Sequence, residues 1–238
     1  MGPNLDTYGL RARVLPVYLS LSPAALLFAA LAPEGLELPL GGATAFVFVP
    51  ISFLLSQIGA DVGKRLEKRL WCDWDGPPTT RFLRHGNREF NAATRGRVHE
   101  RLRVLGLFVP TRTEQERDKC AADQHYQSCT EELIRRTRDQ KKYPLVFKGL
   151  VEYGFRRNLL GLKTLAIPLA IASFAGAGWT GYVNWSTTEG PAVPIGVALV
   201  TAGLLLTWMT WVTERTVKTA ANRYARFLIE AALDQDIV

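Results

Sequence analysis

The stretch Thr164–Trp185 reads TLAIPLAIASFAGAGWTGYVNW and contains no charged residue. About 20 helical residues, each advancing 1.5 Å, cross the roughly 30 Å hydrocarbon core of a bilayer, so this segment is a membrane span by length and composition. The reading extends outward on both sides. Val193–Thr213 (VPIGVALVTAGLLLTWMTWVT) is a second such run, joined to the first by a short link whose only charge is Glu189. Toward the amino terminus the plan repeats: Val14–Ala32 and Leu38–Ala60 are uncharged, and the link 33–37 between them carries only Glu34 and Glu37. Pro16, Pro23, Pro50 and Pro168 interrupt these runs, which bilayer helices tolerate when neighbouring groups re-satisfy the freed carbonyls.

Lys and Arg number 29 in 238 residues, yet none lies in 14–63 or 164–214. Mean hydropathy is near zero because an Arg-rich middle offsets the spans. Basic residues are retained on the cytoplasmic side, and apart from Lys163 at the edge of the third span all of them lie before, between or after the two hairpins. The sequence therefore predicts an all-α integral membrane protein of the bacterial inner membrane with both termini cytoplasmic. Its parts are a segment 1–13, a transmembrane hairpin 14–60, a basic helical domain 61–158, a second hairpin 159–213 and a carboxy-terminal helix 214–238. A cleaved signal peptide ending at Ala30-Leu31-Ala32 is disfavoured, since Pro33 follows and cleavage would reverse a consistent charge pattern.

Residues 61–157 hold 22 Lys or Arg against 14 Asp or Glu, an excess of eight that exceeds the net charge of the whole chain, +7. The pattern GADVGKRLEKRLW continues the second span as a helix toward Trp71 and Trp74, after which Asp75-Gly76-Pro77-Pro78 predicts a turn followed by an extended segment. Arg81, Arg84, His85 and Arg88 then have spacings that place them on one helical face, a reasonable site for an anion. A solvated face or a contact with anionic headgroups explains such a cluster as well, and a phosphate pocket is the specific alternative. Asp61, Asp73 and Asp75 read as turn chemistry rather than a metal site, and no metal or cofactor is expected.

Farther along, Thr94 is a candidate cap for a helix ending at Gly106, with Val98, Leu102 and Leu105 on one face. Thr113 and Glu116 fit a capping box, and helix is expected onward to Tyr143-Pro144 with an interruption near Ala122. The entry to the third span, Pro144–Lys163, brings Arg156 and Arg157 to the membrane edge, where they snorkel to headgroups, couple the basic domain to the span or meet a phosphate. After the fourth span, Arg215, Lys218, Arg223 and Arg226 lie opposite Val217, Ala221, Tyr224 and Leu228.

No ionisable group lies inside a span, which argues against coupled transport. The remaining polar or small residues, Ser52, Ser56, Gln57, Ser173, Gly176, Thr180, Asn184, Thr201, Thr207 and Thr210, line a pore or pack helices. Ala172-Gly176-Thr180 and Ser173-Ala177-Gly181 give two faces for close helix approach. Four helices with so little polarity hardly enclose a pore alone, so a channel needs a homo-oligomer such as a tetramer. His85, His99 and His125 belong to no nucleophile or zinc motif, and catalysis is not expected. Cys72, Cys120 and Cys129 are odd in number and match no metal spacing; they read as reduced.

The segments LWCDWDGPPTTRFLRHGN (70–87) and VEYGFRRNLLGLK (151–163), set between two membrane hairpins, resemble those of small bacterial membrane proteins. The overall plan resembles the membrane effectors of bacterial antiphage systems, among them the Hailong-type effectors. That resemblance implies a channel that depolarises the inner membrane. It also implies a cytoplasmic part that senses a nucleotide or short DNA made by a partner nucleotidyltransferase, the oligomers holding the channel shut. Arg81, Arg84, His85, Arg88, Arg156 and Arg157 are the ligand-binding residues proposed from charge. The competing expectation is a non-conducting scaffold whose basic domain binds anionic lipid and a protein partner.

Overall fold

Turns and caps in this chain fall where backbone chemistry demands them, and helix fills nearly everything between. A computed structural model describes residues 8–31, 42–186 and 190–234, with the backbone alone for 42–51. A π-helical segment Gly9–Val14 leads into α1 (Leu15–Leu31). There follow α2 (Gly42–Asp73), α3 (Pro78–Leu83), α4 (Ala92–Val104), α5 (Arg112–Arg117), α6 (Lys119–Arg136) and α7 (Pro144–Val183). A single 3₁₀ turn, Asn184–Ser186, precedes α8 (Ala192–Thr210) and α9 (Glu214–Ala231). The described residues contain no strand.

Three helical segments are long and apolar enough to cross a membrane: Gly9–Leu31, Pro144–Ser186 and Ala192–Thr210. The expected span Leu38–Ala60 begins outside the described residues, and the link 33–37 and Glu189 of the other link lie outside them too. Proline is accommodated within α1 and α7. Pro23 cannot donate to the carbonyl four residues earlier, Leu19, and the Ser22 hydroxyl donates to that oxygen instead at 3.0 Å, a local repair of the lost bond.

The chain divides into two compact units, Met1–Leu66 with Gly154–Val217, and Glu67–Tyr153 with Lys218–Val238. In the first, helices approach closely at glycines. A Cβ on Gly161 would stand 3.0 Å from the Gly63 nitrogen, and one on Gly176 would stand 2.9 Å from Leu27 Cδ2. Leu159, Ala166, Trp208 and Val212 form a buried cluster, and α1 also packs on α8. Large apolar side chains point outward along these helices, among them Phe28, Phe174, Leu199 and Leu206, as they do on lipid-facing surfaces.

The second unit has a core of Phe82, Leu83, Phe90, Val98, Leu102, Val109, Tyr126, Leu133, Leu228 and Ile229. Several local expectations are corrected there. The turn after α2 uses positive φ at Asp75 (61°) and Gly76 (106°), as predicted, but Pro78 then begins a helix rather than an extended segment, a position that suits its fixed φ and missing N–H. Asn91, not Thr94, caps α4, accepting the Thr94 N–H at 2.7 Å. The capping box belongs to Thr111 and Glu114, not Thr113 and Glu116, and the interruption falls at Asp118, which caps α6. Gly106 ends α4 with φ 82°, and Leu107 N–H donates back to Leu102 O at 3.0 Å, the closure a left-handed residue permits.

Candidate functional site

The arginine cluster read from the sequence does not lie on a helix face. α3 ends at Leu83, and Arg84 is extended, with ψ 142°. Local spacing suggested a face; the chain instead leaves helix here, and the backbone N–H of His85 is taken by the Gln115 side chain at 2.9 Å.

Arg84 is already neutralised. Its guanidinium donates to Asp123 through Nε at 2.8 Å and Nη2 at 2.7 Å, and to Asp75 through Nη1 at 2.7 Å. Lys119 closes the network on Asp75 at 2.7 Å. The Lys119 hydrogen bond, aided by Arg84, holds the Asp75 carboxyl below its usual range. Burial works against the charged form of Arg84, but Asp123 and Asp75 outweigh it and keep the guanidinium charged. Two cations and two carboxylates thus compensate one another beside a cleft of about 390 Å³ lined by Asp75, Pro77, Thr80, Lys119, Cys120 and Asp123. This arrangement is a charge-balanced clasp between the α2–α3 turn and α6.

His85 is likewise engaged, with Nε2 2.8 Å from Pro110 O. Its ring meets the edge of His99 at 4.8 Å between centroids. His99 Nε2 lies 2.7 Å from Leu83 O, and burial pushes this imidazole down to about 4, so it is neutral at pH 7 and donates to that carbonyl. Tyr126 donates to Gln115 Oε1 at 3.0 Å, its phenol pushed up to about 12 by burial. Burial also pushes the Cys129 thiol up to about 11, leaving it protonated and unreactive. These histidines staple segments together. No group of three or more His, Cys, Asp or Glu side chains able to hold a metal ion occurs among the described residues.

Arg156 and Arg157 fall in the other unit. Arg156 donates to Thr216 O at 3.2 Å and lies 5.4 Å from the Trp211 ring centroid. Arg157 is 7% exposed and donates to Asn158 Oδ1 at 3.3 Å, while Asn158 donates to Ala12 O at 2.7 Å. Arg156 therefore ties α7 to α9, whereas Arg157 lies buried against Asn158, the residue that reaches Ala12. Of the six residues proposed from charge, Arg81 and Arg88 have side chains without a partner among the described residues: Arg88 is exposed and Arg81 half-buried.

The polar positions of the spans also have definite places. Ser52 and Ser56 are buried, the latter donating to Phe53 O at 2.7 Å, and Gln57 is half-buried. Ser173 donates to Leu169 O at 2.8 Å, Thr180 to Gly176 O at 3.0 Å and Thr207 to Gly203 O at 2.9 Å. Asn184 is half-buried in the 3₁₀ turn. Ser173, Ala177 and Gly181 face the interior, whereas Ala172 of the parallel series is exposed. Sequence reasoning missed Asp123, Gln115 and Lys119, for no local signal marks them: they meet their partners across 39, 30 and 44 positions.

Comparison with protein-family models, with curated proteins and with solved structures returns no match.

Proposed function

We propose that this chain is a multi-pass protein of the bacterial inner membrane that forms a channel as a homo-oligomer and is regulated through its basic cytoplasmic unit. Four spans arranged as two hairpins fit the charge pattern. The described basic residues of the first unit, Arg11, Arg13, Lys64, Arg65, Arg156, Arg157, Lys163 and Arg215, avoid the apolar stretches of α1, α7 and α8. Along α7, Tyr182 lies 19 residues beyond Lys163, about 29 Å by helical rise, and exposed Trp179, Tyr182 and Trp185 make an aromatic belt at that end. This supports Lys163 at the cytoplasmic interface and the belt at the opposite one.

The observation that carries the channel reading is the outer face of α8. Pro194, Thr201 and Trp208 are buried, while Gly196, Gly203, Thr207 and Thr210 lie within about 60° of one another on the opposite side and are exposed. A Cβ on Gly196 or Gly203 would meet nothing within 4 Å. A line of small and hydroxylic residues, broken by Val200, is poorly suited to lipid and well suited to a neighbouring copy or a water-filled path. Regulation by a nucleotide or short oligonucleotide, and a role in antiphage defence, rest on the resemblance of plan. Purified protein in liposomes should release a small-ion dye, and Gly203→Leu or Thr207→Leu should reduce the release at least tenfold; tight vesicles at every protein density would refute conduction.

One observation favours the scaffold reading: the hydroxyls of Thr207 and Thr210 bond to carbonyls of their own helix, at 2.9 and 2.7 Å. Under that reading overexpression leaves membrane potential intact, while neutralising the exposed Arg88 weakens association with anionic vesicles.

A further inference from the structure

Four polar atoms among the described residues of the second unit are sealed from solvent and have no hydrogen-bond partner: Arg101 Nε, whose guanidinium still donates through Nη2 to Asp234 O at 3.4 Å, and a further three, Trp71 Nε1, Arg81 Nη1 and Asn222 Oδ1. Buried polar groups are nearly always satisfied, and one that is not demands an explanation. For a guanidinium the demand is strongest, because a charged donor removed from water without an acceptor is costly.

Register brings two of the three together. Lys218 lies over the Trp74 ring at 5.7 Å. At the other end, Tyr153 donates to Glu67 (Oε1) at 2.5 Å and stacks on Tyr224 at 6.4 Å between centroids. Going from Trp74 back to Glu67 on α2 therefore corresponds to going from Lys218 forward to Tyr224 on α9. Trp71 and Asn222 fall at the same level between these pairs. They also share the relevant faces, Trp71 standing three residues from Trp74 and Asn222 four from Lys218.

Arg81 joins from the turn that follows. Its Cγ is 4.0 Å from where a Gly76 Cβ would stand, and Gly76 lies two residues beyond Trp74. Neither Arg81 nor Lys218 has a carboxylate partner among the described residues, and Asp73, next to Trp74, is exposed and pairs with neither. The clasp a few residues away shows the contrast: there Arg84 takes both available carboxylates, leaving Arg81 uncompensated.

We propose that Trp71, Arg81, Lys218 and Asn222 form a binding site for a phosphate group. The indole N–H and the guanidinium Nη1 donate to its oxygens, and Lys218 supplies a second positive charge. The Asn222 amide, whose nitrogen has no hydrogen-bond partner, turns over so that its NH₂ becomes the inward donor. All four residues are half-buried, so the group enters from the surface and is desolvated as it binds. The site rests on the regulatory reading above only in naming where an anionic regulator acts; its ligand chemistry stands on these four side chains. A soluble phosphate and a phospholipid headgroup share that chemistry.

The test is titration of the full chain in nanodiscs, followed by tryptophan fluorescence and thermal unfolding. In zwitterionic lipid the probes are inorganic phosphate and AMP; a second set of nanodiscs contains increasing phosphatidylglycerol. A saturable response to a soluble probe, weakened at least tenfold by Arg81→Gln and by Trp71→Phe but not by Arg88→Gln, establishes a soluble ligand. The same dependence on phosphatidylglycerol alone establishes the headgroup. Arg81→Lys, which keeps the charge, should retain part of the response and guards against misreading a folding defect. No saturable response in either set, or responses unchanged in Arg81→Gln and Trp71→Phe, overturns the site. Binding without dye release in liposomes refutes the channel and leaves the site standing, whereas dye release without binding does the reverse.

Discussion

Arg84 and Asp123 meet in a two-point ion pair, with Nε to Oδ1 at 2.8 Å and Nη2 to Oδ2 at 2.7 Å, linking the start of the loop after α3 to α6. The Arg84 side chain is 11% exposed and that of Asp123 27%, so the pair is shielded but not fully desolvated. Removing one partner leaves a covered charge facing no counterpart, which is costlier than losing the pair. Arg84→Gln should lower stability by about 2 kcal/mol, read as a reduced thermal midpoint. Asp123→Asn in the same background should add little, since the coupling is already gone. Equal and additive losses would show that the clasp contributes nothing as a pair.

His99 gives the second unit a pH dependence. Burial first, and then the nearby cations, lower its folded value to about 4 from 6.5. The unfolded chain therefore binds the proton more readily, so the stability is fully present above 6.5 and is lost as pH falls toward 4. The loss should amount to about 2–3 kcal/mol after allowing for solvent screening. His99→Gln keeps a donor for Leu83 O without titrating there. Its thermal midpoint should change less between pH 7 and 4.5 than that of the wild type, and parallel curves for the two proteins would remove His99 as the cause.

Helix contact in the first unit depends on the absence of a side chain at Gly161. A Cβ there would meet backbone at 3.0 Å, with Gly63 Cα at 3.2 Å, and backbone cannot turn aside as a rotamer can. Gly161→Val should cost about 2–3 kcal/mol through overpacking and broaden the size-exclusion peak in detergent. Gly178→Ala, where nothing lies within 4 Å, serves as the tolerated control. A monodisperse Gly161→Val protein of unchanged midpoint would show that the two helices separate easily.

Thr201 is fully buried on the inner face of α8, and its hydroxyl has no partner. Replacing the hydroxyl with a methyl of nearly the same shape removes an unmet hydrogen-bonding demand. Thr201→Val should raise stability by about 1 kcal/mol, measured by thermal unfolding in a fixed detergent. A destabilised variant would mean that the hydroxyl has a role in the native packing.

Helix was legible wherever its signal is local. Gly106 as the terminator of α4, Val98 and Leu102 on its inward face, and Val217, Ala221 and Leu228 on the inward face of α9 all follow from spacing and are all found. Caps were legible only to within a few residues. Thr94, Asn91, Thr111 and Thr113 are all competent caps by composition, and the choice among them depends on where the preceding loop delivers the chain. The arginine cluster was misread for the same reason: the spacing of Arg81, Arg84 and Arg88 defines a face only while the helix persists, and it stops at Leu83.

By itself the sequence determined that this protein is helical with segments made for a bilayer, because apolarity and charge segregation are properties of contiguous stretches and accumulate residue by residue. Only the tertiary structure decided which of the many cations remain available. Ion pairing depends on approach within a few ångströms, and the carboxylates that occupy Arg84 and Lys119 stand 39 and 44 positions away in the chain. Folding spends Arg84 on the clasp and Arg156 on a contact with α9, buries Arg157 against Asn158, and leaves Arg81 with a sealed nitrogen that has no partner.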